Sequence, residues 1–277
     1  MKLLLTSFLL IACISIQAQD FQGIATYQTQ RHVDLKIDST STPGFNSEMQ
    51  KSIQEQLKKQ FQREYKLTFN RNESIYKEDQ NLDKPQALPS SGFQIQISGN
   101  TDILYKNTKE KQYVRQSELL GKQFLIKDSL SKPDWKLEKE TKNIGQYACF
   151  KATLTEEVEN RSFSSVNGEA EEEIKKVTRV TTAWYTLDIP VSQGPDDFWG
   201  LPGLILEIND GKMAMMCTQV VLNPKEKVAI VAPSKGKEVD QETYTKISEE
   251  KSKEMMERFQ SNRKEGDGNS FSIRIGG

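Results

Sequence analysis

Apolar and polar positions alternate with a period of two through most of this chain. Val33, Leu35 and Ile37 alternate with His32, Asp34 and Lys36, and the same rhythm returns in Tyr65, Leu67 and Phe69 and again in Phe93, Ile95 and Ile97. A period of two puts one set of side chains on a core face and the other in water, so these segments are expected as half-buried strands. Between the first two the spacing changes. Met49, Ile53, Leu57 and Phe61 recur every four residues behind Ser47 and Gln50, a capping box, and predict an amphipathic helix over 47–63. The proline- and glycine-bearing segments 84–92 and 129–133 read as loops.

After Trp135 the pattern becomes a meander. Strands are expected over 135–140, 146–155, 174–187, 204–208 and 213–222, with Asn209-Asp210-Gly211 as the tightest hairpin. Residues 156–173, acidic and rich in Ser, Asn and Gly, are expected as a long exposed hairpin loop, with an acidic binding surface as the alternative. Residues 242–263 predict a second helix, on which Tyr244, Ile247, Met255, Met256 and Phe259 form a loose stripe among charges. The Gly-rich tail 266–277 follows, with Phe271 to Ile275 alternating as an added edge strand would. The fold class is therefore mainly β, of the β-rich α+β kind. It is a curved antiparallel sheet or half-barrel with one or two amphipathic helices packed on it.

The stretch Gly194 to Ile208, GPDDFWGLPGLILEI, sets two Gly/Pro corners around adjacent aromatics and then enters a strand. Pro202 presets the φ of a turn's second position and Gly203 offers a positive φ at the third, so Gly200, Pro202 and Gly203 are expected to build a type II turn. Phe198 and Trp199, held between the two corners, either plug one end of the core or line the mouth of a binding groove.

Composition narrows the function. With 38 basic and 39 acidic residues and a formal charge of -1, the 277-residue chain has no field that would gather nucleic acid. Residues 1–18 have the layout of a secretory signal peptide, with Lys2, an apolar run from Leu3 to Ile16 and a small-residue exit at Ala18. One domain over 19–265 is expected after it, with no transmembrane segment once the leader is cleaved. Leu10-Ile11-Ala12-Cys13 also fits a lipobox, so a lipid anchor through Cys13 is the alternative to simple export to the periplasm or beyond. Cys149 and Cys217 remain in the mature chain, and two thiols in an exported protein suggest one disulfide.

The residues also carry a resemblance. Gly200 to Ile205, GLPGLI, is similar to the namesake motif of the GLPGLI family, exported proteins of Gram-negative bacteria without an established role. Leu67-Thr-Phe-Asn70, Gly121 to Asp128, Trp135-Lys-Leu137, Ile144 to Ala152, Ala183-Trp-Tyr-Thr186 and Ile189-Pro190 resemble its other blocks in the same order. The resemblance implies an exported β-rich domain with one helix set against a curved sheet, and it brings no catalytic residues.

The search for chemistry assigns no catalytic residue and no cofactor. His32 is the only histidine, which excludes multi-histidine metal sites and leaves a histidine triad a single candidate. Glu207 interrupts an aliphatic strand and is either a solvent-facing or lysine-paired strand residue or a functional acid. Met213, Met215 and Cys217 share one strand face, a soft donor set suited to Cu(I), although Met also serves as core filler. The reading that results is a non-enzymatic cell-envelope module that binds an apolar or amphipathic partner (lipid, lipoprotein, envelope protein or peptide), with Phe198, Trp199 and Glu207 as candidate binding residues. The alternatives are a carboxylate-dependent hydrolase around Glu207 and a copper-binding protein.

Overall fold

The computed structural model describes residues 21–31, 62–79, 102–166 and 169–261. The leader with Cys13, the strands at 33–37 and 93–97, the loop at 84–92, the helix at 47–63 up to its last two residues, and the tail 266–277 lie outside them. Arg63, at the end of that expected helix, instead opens a strand.

Among the described residues twelve strands form one hydrogen-bonded sheet. They are β1 (Gly23–Arg31), β2 (Arg63–Phe69), β3 (Glu73–Glu78), β4 (Ile103–Asn107), β5 (Gln112–Leu119), β6 (Lys122–Ser129), β7 (Lys136–Ile144), β8 (Tyr147–Val166), β9 (Glu169–Thr186), β10 (Leu204–Asn209), β11 (Met213–Leu222) and β12 (Lys237–Val239). The spatial order is β12-β6-β5-β4-β3-β2-β1-β11-β10-β9-β8-β7. Two antiparallel meanders, β1–β6 and β7–β11, are therefore zipped together by the pair β1·β11. One strand departs from the expected antiparallel pattern, because β12 lies parallel to β6.

The curvature follows from chain length. Strands β6 and β7 lie ten places apart in the sheet, about 48 Å on a flat sheet at 4.8 Å per strand. Yet only residues 130–135 join them, a connection that reaches at most about 25 Å. The sheet must curl to bring these two regions together. Buried residues form two clusters, Ala25, Tyr27, Leu67, Phe69, Tyr76, Leu104, Leu204 and Leu206 in one and Ala152, Ala183, Tyr185, Ile205, Ile208 and Met215 in the other; the consecutive residues Leu204 and Ile205 serve one each, on opposite faces of β10.

The helix α1 (Gln241–Ser261) matches the one expected near 242–263. Asp240 caps it by accepting from the amide of Thr243 at 2.8 Å. Its first turn packs on the sheet, where the Tyr244 ring meets Phe124 edge-on at 5.5 Å and its hydroxyl lies 3.1 Å from Ser117 Oγ, and the helix also approaches β9. No helix among the described residues is long and apolar enough to cross a membrane.

The expected loop at 156–173 is a correction. These residues extend β8 and β9 into a two-stranded ribbon in unbroken register, from Leu154 opposite Thr181 to Val166 opposite Glu169. Charge hid the alternation: Glu156 and Arg179 stand opposite each other, 3.3 Å apart. Opposite charges across a strand pair support the pairing.

Candidate functional site

Residues 187–203 leave β9, cross the sheet and return as β10. This strap is buried through Ile189, Val191, Gln193, Trp199 and Leu201. What holds it is a lysine that sequence inspection passed over. Lys106 on β4 is fully buried, and its ammonium donates to the backbone carbonyls of Gly194 (3.0 Å), Asp196 and Phe198 (3.4 Å). Burying an ammonium is costly unless all its donors are met, and three carbonyls meet the three protons. Arg115 on the neighbouring β5 adds the outer tie, pairing with Asp197 at 2.6 Å, Asp196 at 3.6 Å and Asp102 at 3.9 Å.

The electrostatics are those of a crowded site. Burial pulls the Lys106 ammonium below its usual range, partly offset by Asp197 and Asp196. Burial, and then the adjacent Asp197 carboxylate, push the Asp196 carboxyl above the usual carboxylate range, against Arg115 and Lys106. Asp196 also adopts φ 47°, the left-handed region, where aspartate is among the less strained residues. Tyr65 and Tyr76 stack beneath at 5.0 Å. The buried Tyr76 hydroxyl, Ser74 Oγ and the Gln193 amide have no hydrogen-bond partner among the described residues.

The turn residues are placed with one correction. Gly200 carries the positive φ, +94°, whereas Gly203 does not. Gly203 is instead required by close approach, because a Cβ there would stand 1.9 Å from the Thr186 carbonyl oxygen. Pro202 lies exposed between them. Trp199 is buried and its carbonyl accepts from Trp135 Nε1 at 2.8 Å, while the Phe198 ring lies 6.3 Å from that of Trp135. The two aromatics thus close the core against the β6–β7 connection.

Glu207 pairs with Lys142 of β7 at 2.5 Å, and the same ammonium sits 4.4 Å over the Trp184 ring. Met213 and Met215 pack with Ile205 and Ile208, whereas Cys217 packs against the Tyr27 cluster. Among the described residues no group of three or more His, Cys, Asp or Glu is gathered as a metal site would be. Cys149 and Cys217 are both free thiols, on strands with β9 and β10 between them, so the expected disulfide is not formed in the structure. Burial raises both thiols, Cys217 to about 12.

Beside Cys217 lies a half-open cavity of about 240 Å³. Its walls are Ile144, Gly145, Gln146 and Tyr147 of the β7–β8 turn, Leu206 of β10, and Cys217, Thr218, Gln219 and Val220 of β11. No single motif announces it, since it joins three segments that only the curled sheet brings together. The nearest signal was the aliphatic strand at 204–208 that Glu207 interrupts. Ile205 and Glu207 face consecutive residues of β9, so Leu206 is the extra residue and turns to the cavity.

No match is found among curated proteins. Two solved structures of PNGF-II, in space groups C2 and P21, are similar at 16% identity, with TM-scores of 0.49 and 0.47. Each aligns over 82% of this chain, which spans about a third of their length, 32% and 33%. Residues 135–207, from the core-closing Trp135 through the strap to Glu207, match the family described as "Protein of unknown function (Porph_ging)".

Proposed function

We propose that this chain is an exported binding module that receives an apolar or amphipathic group in the cavity between the β7–β8 turn and β11, and that it turns nothing over. The observation that carries this reading is the cavity itself, with Ile144, Tyr147, Leu206 and Val220 as apolar walls and Gln146, Thr218 and Gln219 as polar ones. Its volume is below the roughly 300–1,000 Å³ of sites that enclose a drug-sized ligand, so it suits the end of an acyl chain or an apolar peptide side chain. Val221 and Leu222 continue β11 beyond it, each 38% exposed, and give the rest of such a partner an apolar path. The Lys142–Glu207 pair, within two residues of Ile144 and Leu206 in the chain, offers charge for a polar head. The leader at 1–18 supports an envelope location, where lipids, lipoproteins and peptides are at hand.

The test is titration of the mature chain with a fluorescent fatty-acyl probe. Saturable binding with a blue shift at micromolar concentration is expected, and Gln219→Trp, which sets an indole in the cavity wall, should weaken it about tenfold. Unchanged probe emission with the parent chain, or equal binding by Gln219→Trp, would overturn the reading.

A further inference from the structure

The β8–β9 ribbon reaches beyond every other strand. β7 pairs β8 only as far as Thr153, and β10 pairs β9 only from Thr182 onward, so from position 169 to 181 the outer edge of β9 has no strand beside it among the described residues. A two-stranded ribbon alone is marginally stable in water, and an open edge is a template for another strand. Ile174 and Val180 on this strand are 50% and 51% exposed.

The sequence of that edge, Glu169-Ala-Glu-Glu-Glu-Ile-Lys-Lys-Val-Thr-Arg179, is complementary to itself. Set antiparallel to a second copy about Ile174, position 173 falls opposite 175, 172 opposite 176 and 169 opposite 179. Each is a glutamate facing a lysine or arginine, and two-fold symmetry repeats all three. Arg179 already engages Glu156 within its own hairpin, and its five-donor guanidinium has capacity for a second carboxylate. The length fits as well. In this register Glu169 of the second copy reaches Arg179, and the body's next strand begins at Asn209 opposite Thr182. The two bodies then lie at opposite ends of the paired ribbons. A partner of uniform charge would meet repulsion from one half of the edge, whereas a second copy meets none.

We infer that the chain forms a two-fold dimer through antiparallel pairing of the two β9 edges over residues 169–179, centred on Ile174. This is an isologous contact, so it closes at two copies and adds no further edge for growth along β9.

Sedimentation equilibrium of the mature chain is expected to show a reversible dimer that weakens at about 0.5 M salt. Lys175→Glu/Lys176→Glu and Glu172→Lys/Glu173→Lys should each be monomeric, and an equimolar mixture of the two should regain the dimer, because every reversed pair is then complementary. An Ile174→Cys variant, a mild change at an exposed site, should cross-link to a dimer with glutathione disulfide as oxidant, one new S–S bond forming as two glutathione thiols are released, while Val180→Cys should not. A monomeric parent, a dimer that survives both reversals, or equal cross-linking at 174 and 180 would overturn the inference.

Discussion

Lys106 Nζ lies 3.0 Å from the carbonyl oxygen of Gly194, a residue 88 positions further along the chain, and so fastens β4 to the strap. Lys106→Met keeps the length of the stem but leaves the Gly194, Asp196 and Phe198 carbonyls without their donor. The variant is expected to lose about 3 kcal/mol in urea unfolding, in the range for breaking a buried charged contact. A loss within 0.5 kcal/mol, the ordinary effect of a surface change, would show that the strap holds without it.

Gly203→Ala should be the more damaging of two glycine substitutions. A Cβ at 203 meets the Thr186 carbonyl oxygen at 1.9 Å, so the β9–β10 pairing itself must shift, at a cost of about 3 kcal/mol. At Gly200 the nearest atom to a new Cβ is Lys132 Cγ at 3.2 Å, and the cost of about 1 kcal/mol arises from φ +94°. Thermal unfolding of the two variants orders them.

Asp196 links the strap to pH. Its folded value is raised, so between the ordinary aspartate value near 3.9 and that raised value the folded chain holds a proton that the unfolded chain releases. Stability from this group is present at the acid end and lost as pH rises through the window. Relative to Asp196→Asn, which cannot titrate, the parent should become steadily less stable from pH 4 to pH 7. An opposite slope in denaturant melts at matched ionic strength would show that Arg115 and Lys106 outweigh burial.

The thiols should be slow in the native chain. At a value of about 12, roughly one Cys217 in ten thousand is thiolate at pH 8, against about one in four for a free cysteine, so reaction with a thiol reagent should be on the order of a thousandfold slower. In denaturant two thiols per chain are expected to react at once. A count of zero there would mean that oxidative folding joins Cys149 to Cys217 after all.

The second meander was legible in the sequence nearly strand by strand, because Ala183 to Thr186 and Leu204 to Ile208 are apolar between clear turn residues. The first was not. β4 carries the buried Lys106 where an apolar residue would have marked the inner face, and β5 carries Arg115 in the same way, so the period of two is broken where the strap docks. The ribbon was missed for the opposite reason: its alternation is between charges, in a stretch that read as solvated. In the candidate site, Glu207 and Cys217 could be singled out as unusual for their strands. Their partners Lys142 and Ile144 are ordinary residues whose nearness depends on the curl of the sheet.

The place of β1 between β2 and β11 bears on the order of events during synthesis. Gly23 has Leu222 as its register partner, so the first strand to emerge waits for almost the last before its second edge is closed. Until then β1 to β6 form a meander with an open flank that exposes its hydrogen-bonding groups, and the β1·β11 pairing that closes it is a high contact-order step, which is slow.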